Sequence, residues 1–321
     1  MKITDQVCGC SGFDRSGAST LVWGVVICFH PDHELLAQLV ARLSPQVATV
    51  LVLNNGGMSP TLRKDISCCE NLLIHDFGEN RGIAAALNEG FSKAVAADVR
   101  FVVTFDQDSY PEQDHVARLV NHWLNLSLQK NELQKTGAIG PSFYDARQNY
   151  FEYPFYRASG LKVIKSYASG GHIVVEADAL ITSGMLVPAE IWRNGCRFDE
   201  NLFIDFVDTE WCFRTRSLGY VHYGCFDVTM KHELSEASPV NFLGLMVLKY
   251  SPTRRYYHFR NCLYLVSHTY VPLAFRIRLV GGLFLRFFTL PLVDDKPTSS
   301  IKSIAAGVFD FMRGKYGRRH G

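Results

Sequence analysis

The chain has 321 residues, of which 47% are hydrophobic and 20% are charged, and its net charge is +2. This composition is that of a globular protein and excludes a disordered or fibrous chain. No run of about 20 uncharged apolar residues is present, so no membrane-spanning helix is expected. Residues 1–20 lack the apolar core of a secretory signal and are expected to form a flexible leader. The nine cysteines are expected to be reduced thiols of a cytosolic protein.

The charges are distributed unevenly along the chain. Residues 249–321 hold 13 Lys and Arg against three acids, a net charge of +10, whereas the remainder holds 20 against 28, a net charge of −8. A basic segment attached to an acidic body indicates contact with an anionic partner, either membrane lipid or nucleic acid.

Apolar strands alternate with helices in the first 140 residues, which predicts an α/β fold with a parallel sheet. Polar clusters that follow strand ends are expected to converge on one crevice, because ligands of such sheets bind outside the carboxyl ends of the strands. The predicted strands are 21–29, 49–53, 72–75, 99–105 and 138–140, the helices 32–43, 82–97 and 111–129, and the clusters 29–32, 54–57 and 106–109.

The pattern changes after residue 141. Residues 142–171 are rich in Tyr, Phe and Gly without a clear period, residues 173–187 have strand character, and residues 208–218 can form a helix that ends at Gly219. This change predicts the second half of one domain rather than a separate domain.

Asp106-Gln107-Asp108-Ser109 directly follows a buried strand. Two carboxylates at positions i and i+2 of a turn can face one ligand, and hard cations such as Mg²⁺ prefer oxygen ligands that they share with a substrate phosphate. The sequence therefore predicts a metal site here, with a capped, solvated turn as the alternative.

Gly82 opens a predicted Ala-rich helix, whose first amides could face a phosphate, and Arg81 adds a planar donor fork. The alternative is an ordinary packing helix.

A third cluster places Asp205, Asp208 and Glu210 among aromatic residues. A carboxylate in a cleft can act as a general base toward a sugar hydroxyl. Acids that stabilise a helix N-terminus would give the same pattern. His232 follows the strand-like residues 226–230 and is either a metal ligand or a structural or solvated histidine.

Together these segments resemble glycosyltransferase family 2, and within it the bacterial rhamnosyltransferases, over about residues 21–261. The resemblance implies a nucleotide-binding fold of the GT-A type, a Mg²⁺ or Mn²⁺ ion, and inversion at the anomeric carbon. It implies that Asp106 contacts the nucleotide sugar, that Asp108 and His232 bind the metal, and that Asp208 is the base. Val207 stands where relatives carry Glu, so Asp205 is a second candidate for the base.

The resemblance also places Asn54 where many relatives carry an Asp that contacts the nucleobase. The donor site is expected to include His30, Asn54, Asn55, Arg81, Gly82, Asp106 and Gln107. The donor is expected to be dTDP-L-rhamnose, and the acceptor a lipid-linked oligosaccharide or a polysaccharide of the cell surface.

The predicted architecture is a flexible leader at 1–20, a GT-A domain at 21–248 and a helical basic extension at 249–321. On a helix over 273–288, apolar side chains gather on one arc of about 100° and three arginines lie opposite. Such a helix either anchors the protein peripherally on the anionic inner face of the cell membrane or packs on the catalytic body. Nucleic acid is not an expected partner, because the body has no basic face.

Three alternatives remain. The donor could carry another sugar, such as galactofuranose, glucose or GlcNAc. The chain could be a phosphohydrolase of the haloacid dehalogenase type, in which the Asp-x-Asp pair also occurs. It could also be a non-catalytic sugar-nucleotide binding subunit.

The role of residues 254–257 and 260–261 is open as well, since they could bind the acceptor or face lipid.

Overall fold

The computed structural model describes residues 21–129, 134–145, 151–231, 237–242, 245–294 and 296–319. The strands are β1 (Val22–Cys28), β2 (Thr49–Asn54), β3 (Leu72–Asp76), β4 (Phe101–Asp106), β5 (Lys135–Asp145), β6 (Phe151–Tyr153), β7 (Phe155–Ser159), β8 (Lys162–Ser166), β9 (Val174–Ala177), β10 (Leu186–Pro188), β11 (Tyr220–Lys231), β12 (Ala237–Phe242) and β13 (Leu245–Lys249). The helices are α1 (His33–Leu43), α2 (Pro60–Ile66), α3 (Ile83–Ala96), α4 (His115–Leu128), α5 (Ala189–Arg193), α6 (Val207–Ser217), α7 (Pro252–Ser267), α8 (Leu273–Val293) and α9 (Pro297–Met312).

A nine-stranded sheet forms the centre of the fold, in the order β3-β2-β1-β4-β10-β5-β11-β9, with β6 paired to β5. Strands β1 to β4 are mutually parallel, as are β5 and β11, whereas β10 runs antiparallel between β4 and β5. The predicted α/β fold with a mostly parallel sheet is therefore confirmed. Apolar clusters cover both faces of this sheet, as expected for parallel strands connected by helices.

Local sequence explains several element boundaries. The Asp32 carboxylate caps α1 by accepting hydrogen bonds from two amides of its first turn. Helix α6 is followed by Gly219 in the left-handed conformation, as predicted. The helix predicted from Pro111 begins only at His115, and the strand character of residues 173–187 resolves into β9 and β10 with a loop between them.

The three C-terminal helices pack on one another and on the catalytic body. Arg255, Arg260 and Asn261 of α7 are at most 2% exposed. These three residues therefore do not form a lipid-facing surface, which was one of their two predicted roles.

The three arginines of helix α8 make contacts within the protein. Arg286 contacts His258, Arg278 lies over the Tyr156 ring, and the Arg276 guanidinium donates to a backbone carbonyl. The opposite side is an exposed apolar face, formed by Leu273, Ile277, Val280, Phe284, Phe287 and Phe288. This apolar face of α8 does not pack on the body. Within the described residues, no helix combines the length and the hydropathy needed to cross a membrane.

Candidate active site

A cavity of about 520 Å³ lies at the carboxyl ends of β1 and β4. Its walls come from six parts of the chain: the ends of β1 and β2, the residues that lead into α3, the turn after β4, the loop before β10, the loop before α6, and the start of α7. The lining includes Phe29, Asn55, Asn80, Gly82, Asp106, Gln107, Asp108, Thr182, Phe203, Asp205, Phe206, Asp208, Tyr250, Arg254 and His258. The polar clusters that follow β1, β2 and β4 each contribute to this wall.

The turn after β4 is fixed by hydrogen bonds on both sides. The Ser109 amide donates to the Asp106 carbonyl at 3.1 Å, and the Ser109 hydroxyl bonds to the Ser183 hydroxyl. The Phe29 amide donates to Gln107 Oε1 at 2.7 Å, which joins the turn to the end of β1. Asp106 and Asp108 are thereby held at the cavity wall.

Asp106 carries unusual electrostatics. Burial, and to a lesser extent the charges of Asp108 and Asp208, raise its pKa to about 7, while the charge of Arg254 acts in the opposite direction. Carboxylates that repel one another in a desolvated site are stabilised by a shared cation. Asp106 and Asp108 therefore fit a hard divalent metal in donor type and in charge. His232, the other predicted ligand, lies outside the described residues.

Asp208 lies in the first turn of α6, with its carboxylate at the cavity wall. One carboxylate oxygen accepts from the Thr182 amide at 3.3 Å and the other from the Thr209 amide at 2.7 Å. Burial raises its pKa although these two donors lower it. A fixed carboxylate with a raised pKa can accept a proton from a substrate hydroxyl.

Asp205 has a different environment from Asp208. Its Oδ1 accepts from Arg254 Nε at 3.2 Å and Nη2 at 3.1 Å, and His258 Nδ1 lies 3.9 Å from its Oδ2. An ion-paired carboxylate is a weaker proton acceptor, so of the two carboxylates Asp208 has the environment better suited to accept a proton. Glu210, the third acid of the cluster, is fully buried and accepts from Arg214 and Tyr270 instead.

The backbone before α6 is strained. Asp205 and Phe206 have φ angles of 61° and 65°, in the left-handed region that non-glycine residues seldom adopt. Asn261 of α7 holds this backbone by donating from Nδ2 to the Ile204 carbonyl at 2.6 Å and the Asp205 carbonyl at 3.3 Å. Helix α7 thus fixes the loop from which Asp208 projects.

Three predicted donor-site residues do not line the cavity. His30 packs its ring on Phe29 at the end of β1, and its ring lies against Gly57. Asn54 uses its side chain within the protein, donating to Asp76 Oδ1 at 2.7 Å and accepting from the Gly56 amide at 3.0 Å. Arg81 lines a neighbouring hollow instead.

The amides that lead into α3, up to its first residue Ile83, are engaged within the chain. The amides of Arg81, Gly82 and Ile83 donate respectively to Asn55 Oδ1 at 3.2 Å, Asn80 Oδ1 at 2.9 Å and the Phe203 carbonyl at 2.8 Å. That the first amides of α3 face a phosphate stays a prediction, which the amides after Ile83 would have to fulfil. Gly82 is required for another reason: its φ is 84°, and a Cβ there would lie 2.6 Å from the Phe203 carbonyl oxygen.

Tyr250, Arg254 and His258 line the cavity, although the sequence pattern did not assign them to the donor site. Their aromatic and basic character was noticeable in the segment after residue 249. Their position became clear only when α7 was placed against the loop before α6.

The fold is that of an α/β protein whose ligands bind at the carboxyl ends of the strands, and the crevice there is acidic. The model of glycosyl transferase family 2 matches residues 24–158. The dTDP-rhamnosyl transferase RfbF of Shigella flexneri is 30% identical over 259 residues, which are 80% of this chain and 83% of that protein. The chain belongs to glycosyltransferase family 2 and is a glycosyltransferase.

Solved structures agree with the fold. TarS residues 1–349 of S. aureus in complex with UDP has a TM-score of 0.54 at 11% identity, with 92% of this chain and 93% of that chain covered. GalNAc-T7 with UDP, GalNAc and Mn²⁺ has a TM-score of 0.56 at 11% identity, with 92% of this chain and 57% of that chain covered. At this identity the likeness concerns the fold alone, and it supports the expected GT-A type.

Proposed function

We propose that this glycosyltransferase is an inverting, metal-dependent rhamnosyltransferase that uses dTDP-L-rhamnose. The observation that carries the donor assignment is the 30% identity to a dTDP-rhamnosyl transferase across four fifths of the chain. The cavity adds the chemistry, because Asp106 and Asp108 suit a metal that can neutralise a diphosphate and Asp208 suits a proton transfer.

The proposed reaction is one displacement at the anomeric carbon. Asp208 accepts the proton of the acceptor hydroxyl while that oxygen bonds to the anomeric carbon from the face opposite the diphosphate. The bond between the anomeric carbon and the diphosphate oxygen breaks, and its electron pair leaves with the nucleoside diphosphate. A β-linked L-rhamnosyl donor therefore gives an α-rhamnoside. The amides of Thr182 and Thr209 hold the Asp208 carboxylate during this step.

The proposed metal is Mg²⁺ or Mn²⁺, held by Asp108 with Asp106 beside it, and His232 is proposed as a further ligand. When bound, the ion would neutralise charge on the leaving diphosphate. Asp106 is also proposed to contact the nucleotide sugar, and Asn55 and Gln107 are proposed to contribute to its pocket, because both line the cavity.

The proposed acceptor is a lipid-linked oligosaccharide or polysaccharide, reached from the cytoplasmic side of the membrane. The apolar face of α8 supports this proposal, because its six large side chains are between 43% and 67% exposed and lie on a segment of high positive charge. Apolar side chains on a basic helix bind the interface of anionic bilayers.

Vesicle sedimentation tests the membrane proposal. The wild-type protein is expected to pellet with phosphatidylglycerol vesicles, and a Phe284→Ser/Phe288→Ser double variant to remain in the supernatant. Leu128→Ser is the matched control, since Leu128 is 85% exposed on α4. Equal pelleting of the double variant, or a soluble dimer that hides the face, would contradict membrane binding.

The donor proposal is tested by nucleotide release. Purified protein with Mg²⁺ or Mn²⁺ is incubated with dTDP-rhamnose, UDP-glucose, UDP-GlcNAc and UDP-galactofuranose, and slow hydrolysis is followed. Release of dTDP alone is expected, with loss of release upon chelation and in Asp108→Ala. Asp114→Ala, an exposed acid outside the cavity, should retain release. Preferential release of UDP would contradict dTDP-rhamnose as the donor. Nucleotide release that survives chelation would contradict the metal requirement.

A further inference from the structure

The cavity has a large imbalance of charge. Four carboxylates line it, those of Asp106, Asp108, Asp205 and Asp208. Among the lining residues that the structure describes, Arg254 is the one with a permanent positive charge. A diphosphate adds further negative charge to this site. One metal ion beside Asp106 and Asp108 would not neutralise the carboxylates and the diphosphate together, so the protein must supply a second cation.

The guanidinium of Arg254 is held in place at the wall. Its side chain is 26% exposed, pairs with Asp205, and lies over the Tyr250 ring with 4.6 Å from the guanidinium carbon to the ring centroid. Arg254 lines the same cavity as Asp106 and Asp108 of the turn after β4. A guanidinium is a planar fork of donors and can serve a carboxylate along one edge and a phosphate along another.

A chain of contacts positions the Arg254–Asp205 pair. Arg286 of α8 contacts His258 Nε2, and the other ring nitrogen of His258 faces Asp205. Burial and the neighbouring arginines lower the pKa of His258 well below its usual value, so the ring is neutral and adds no second positive charge. Asp205 therefore orients Arg254, and Arg254 is the cationic side chain that can bind an anion.

We propose that Arg254 binds the diphosphate of the nucleotide sugar and that Asp205 is its positioning residue. This inference rests on the proposed use of a nucleoside-diphosphate donor. It assigns the start of α7 to the donor site, although the sequence pattern placed that helix in an extension outside the catalytic domain. As the C–O bond breaks, the electron pair and the added negative charge move onto the diphosphate, and Arg254 stabilises that charge.

The competing interpretation is that Arg254 only fixes the loop before α6. Both interpretations predict that Arg254→Ala lowers stability. They differ for ligands, because a loop clamp affects thymidine, dTMP and dTDP alike, whereas a diphosphate contact affects dTDP selectively.

Calorimetric titration with Mg²⁺ present separates them. Arg254→Ala is expected to lose about 10- to 100-fold in affinity for dTDP, the range for a lost charge-assisted hydrogen bond, and to keep the wild-type affinity for thymidine. Arg254→Lys should recover part of the loss, and Asp205→Asn should lose less than Arg254→Ala. Arg313→Ala, an arginine over Phe309 and outside the cavity, is the control.

Each outcome has one meaning. Equal losses for dTDP and thymidine, or unchanged dTDP affinity in Arg254→Ala, would overturn the Arg254 assignment. Wild-type preference for UDP with selective loss of UDP in Arg254→Ala would overturn the dTDP donor and support the assignment. Binding of no nucleoside diphosphate by the wild type would overturn both.

Discussion

Asn261→Ala tests whether α7 holds the loop that presents Asp208. The Asn261 side chain is completely buried and makes three hydrogen bonds. It donates to the Ile204 and Asp205 carbonyls at 2.6 and 3.3 Å and accepts from Arg260 Nε at 2.9 Å. Alanine would leave two carbonyls and one guanidinium N–H without this partner in a buried region.

The expected loss follows from those three groups. A buried polar group left unsatisfied costs about 1–3 kcal/mol, and more when it is charged. The 3.3 Å bond is long and contributes least, so we expect Asn261→Ala to lower the free energy of unfolding by about 3–5 kcal/mol. The left-handed backbone of Asp205 and Phe206, which costs about 1–3 kcal/mol at each residue, can then relax.

The assay combines urea unfolding with the rate of nucleotide release. Nucleotide release should fall by about 10- to 100-fold in the folded variant, because small displacements of reacting groups cost that much. Asn125→Ala, at an exposed position of α4, should stay within about 0.5 kcal/mol of wild type. If Asn261→Ala were equally neutral and retained full release, α7 would not hold this loop.

Two further predictions concern electrostatics and packing. The pKa of Asp106 is raised from 3.8 to about 7 in the folded protein. Between pH 4 and pH 7 the folded protein therefore keeps a proton on Asp106 that the unfolded chain has lost. The free energy of unfolding of the metal-free protein should fall as the pH rises through this range. Melting in chelator should therefore show Asp106→Asn gaining more over wild type at pH 8 than at pH 4.5, and an equal gain at both would refute the shift. Gly90→Ala should lower the free energy of unfolding in urea by about 1–3 kcal/mol, although alanine favours helices, because its Cβ would lie 2.7 Å from Val25 and 2.9 Å from Leu53. A gain in stability would contradict this packing.

The parts of the fold that sequence predicted are those with a local physical cause. Strands β1, β2 and β4 are buried on both faces, so they occur as continuous apolar runs. The crevice followed from a rule of topology, since the polar residues after parallel strands gather at one edge. The apolar arc of α8 followed from helical periodicity, whereas its exposure was one of two alternatives and came from the structure.

The parts that could not be predicted depend on contacts between distant segments. Strand β10 is three residues long and inserts antiparallel between β4 and β5, which no local pattern indicates. The Ile83 amide at the start of α3 donates to the Phe203 carbonyl, which is distant in sequence, so this contact could not be predicted locally. Arg254 and Asp205 are likewise separated by 49 positions, so their pairing was visible only in the structure.

The turnover of Asp208→Asn tests the central claim most directly. That claim is that a nucleotide sugar reacts in this cavity with Asp208 as the general base. With dTDP-rhamnose at saturation and Mg²⁺ present, we predict that nucleotide release falls by about 10²–10⁴-fold, the usual contribution of a general base. Affinity for dTDP should stay at the wild-type value, because Asp208 is not proposed to contact the diphosphate. Release by Asp208→Asn at the wild-type rate would contradict the account.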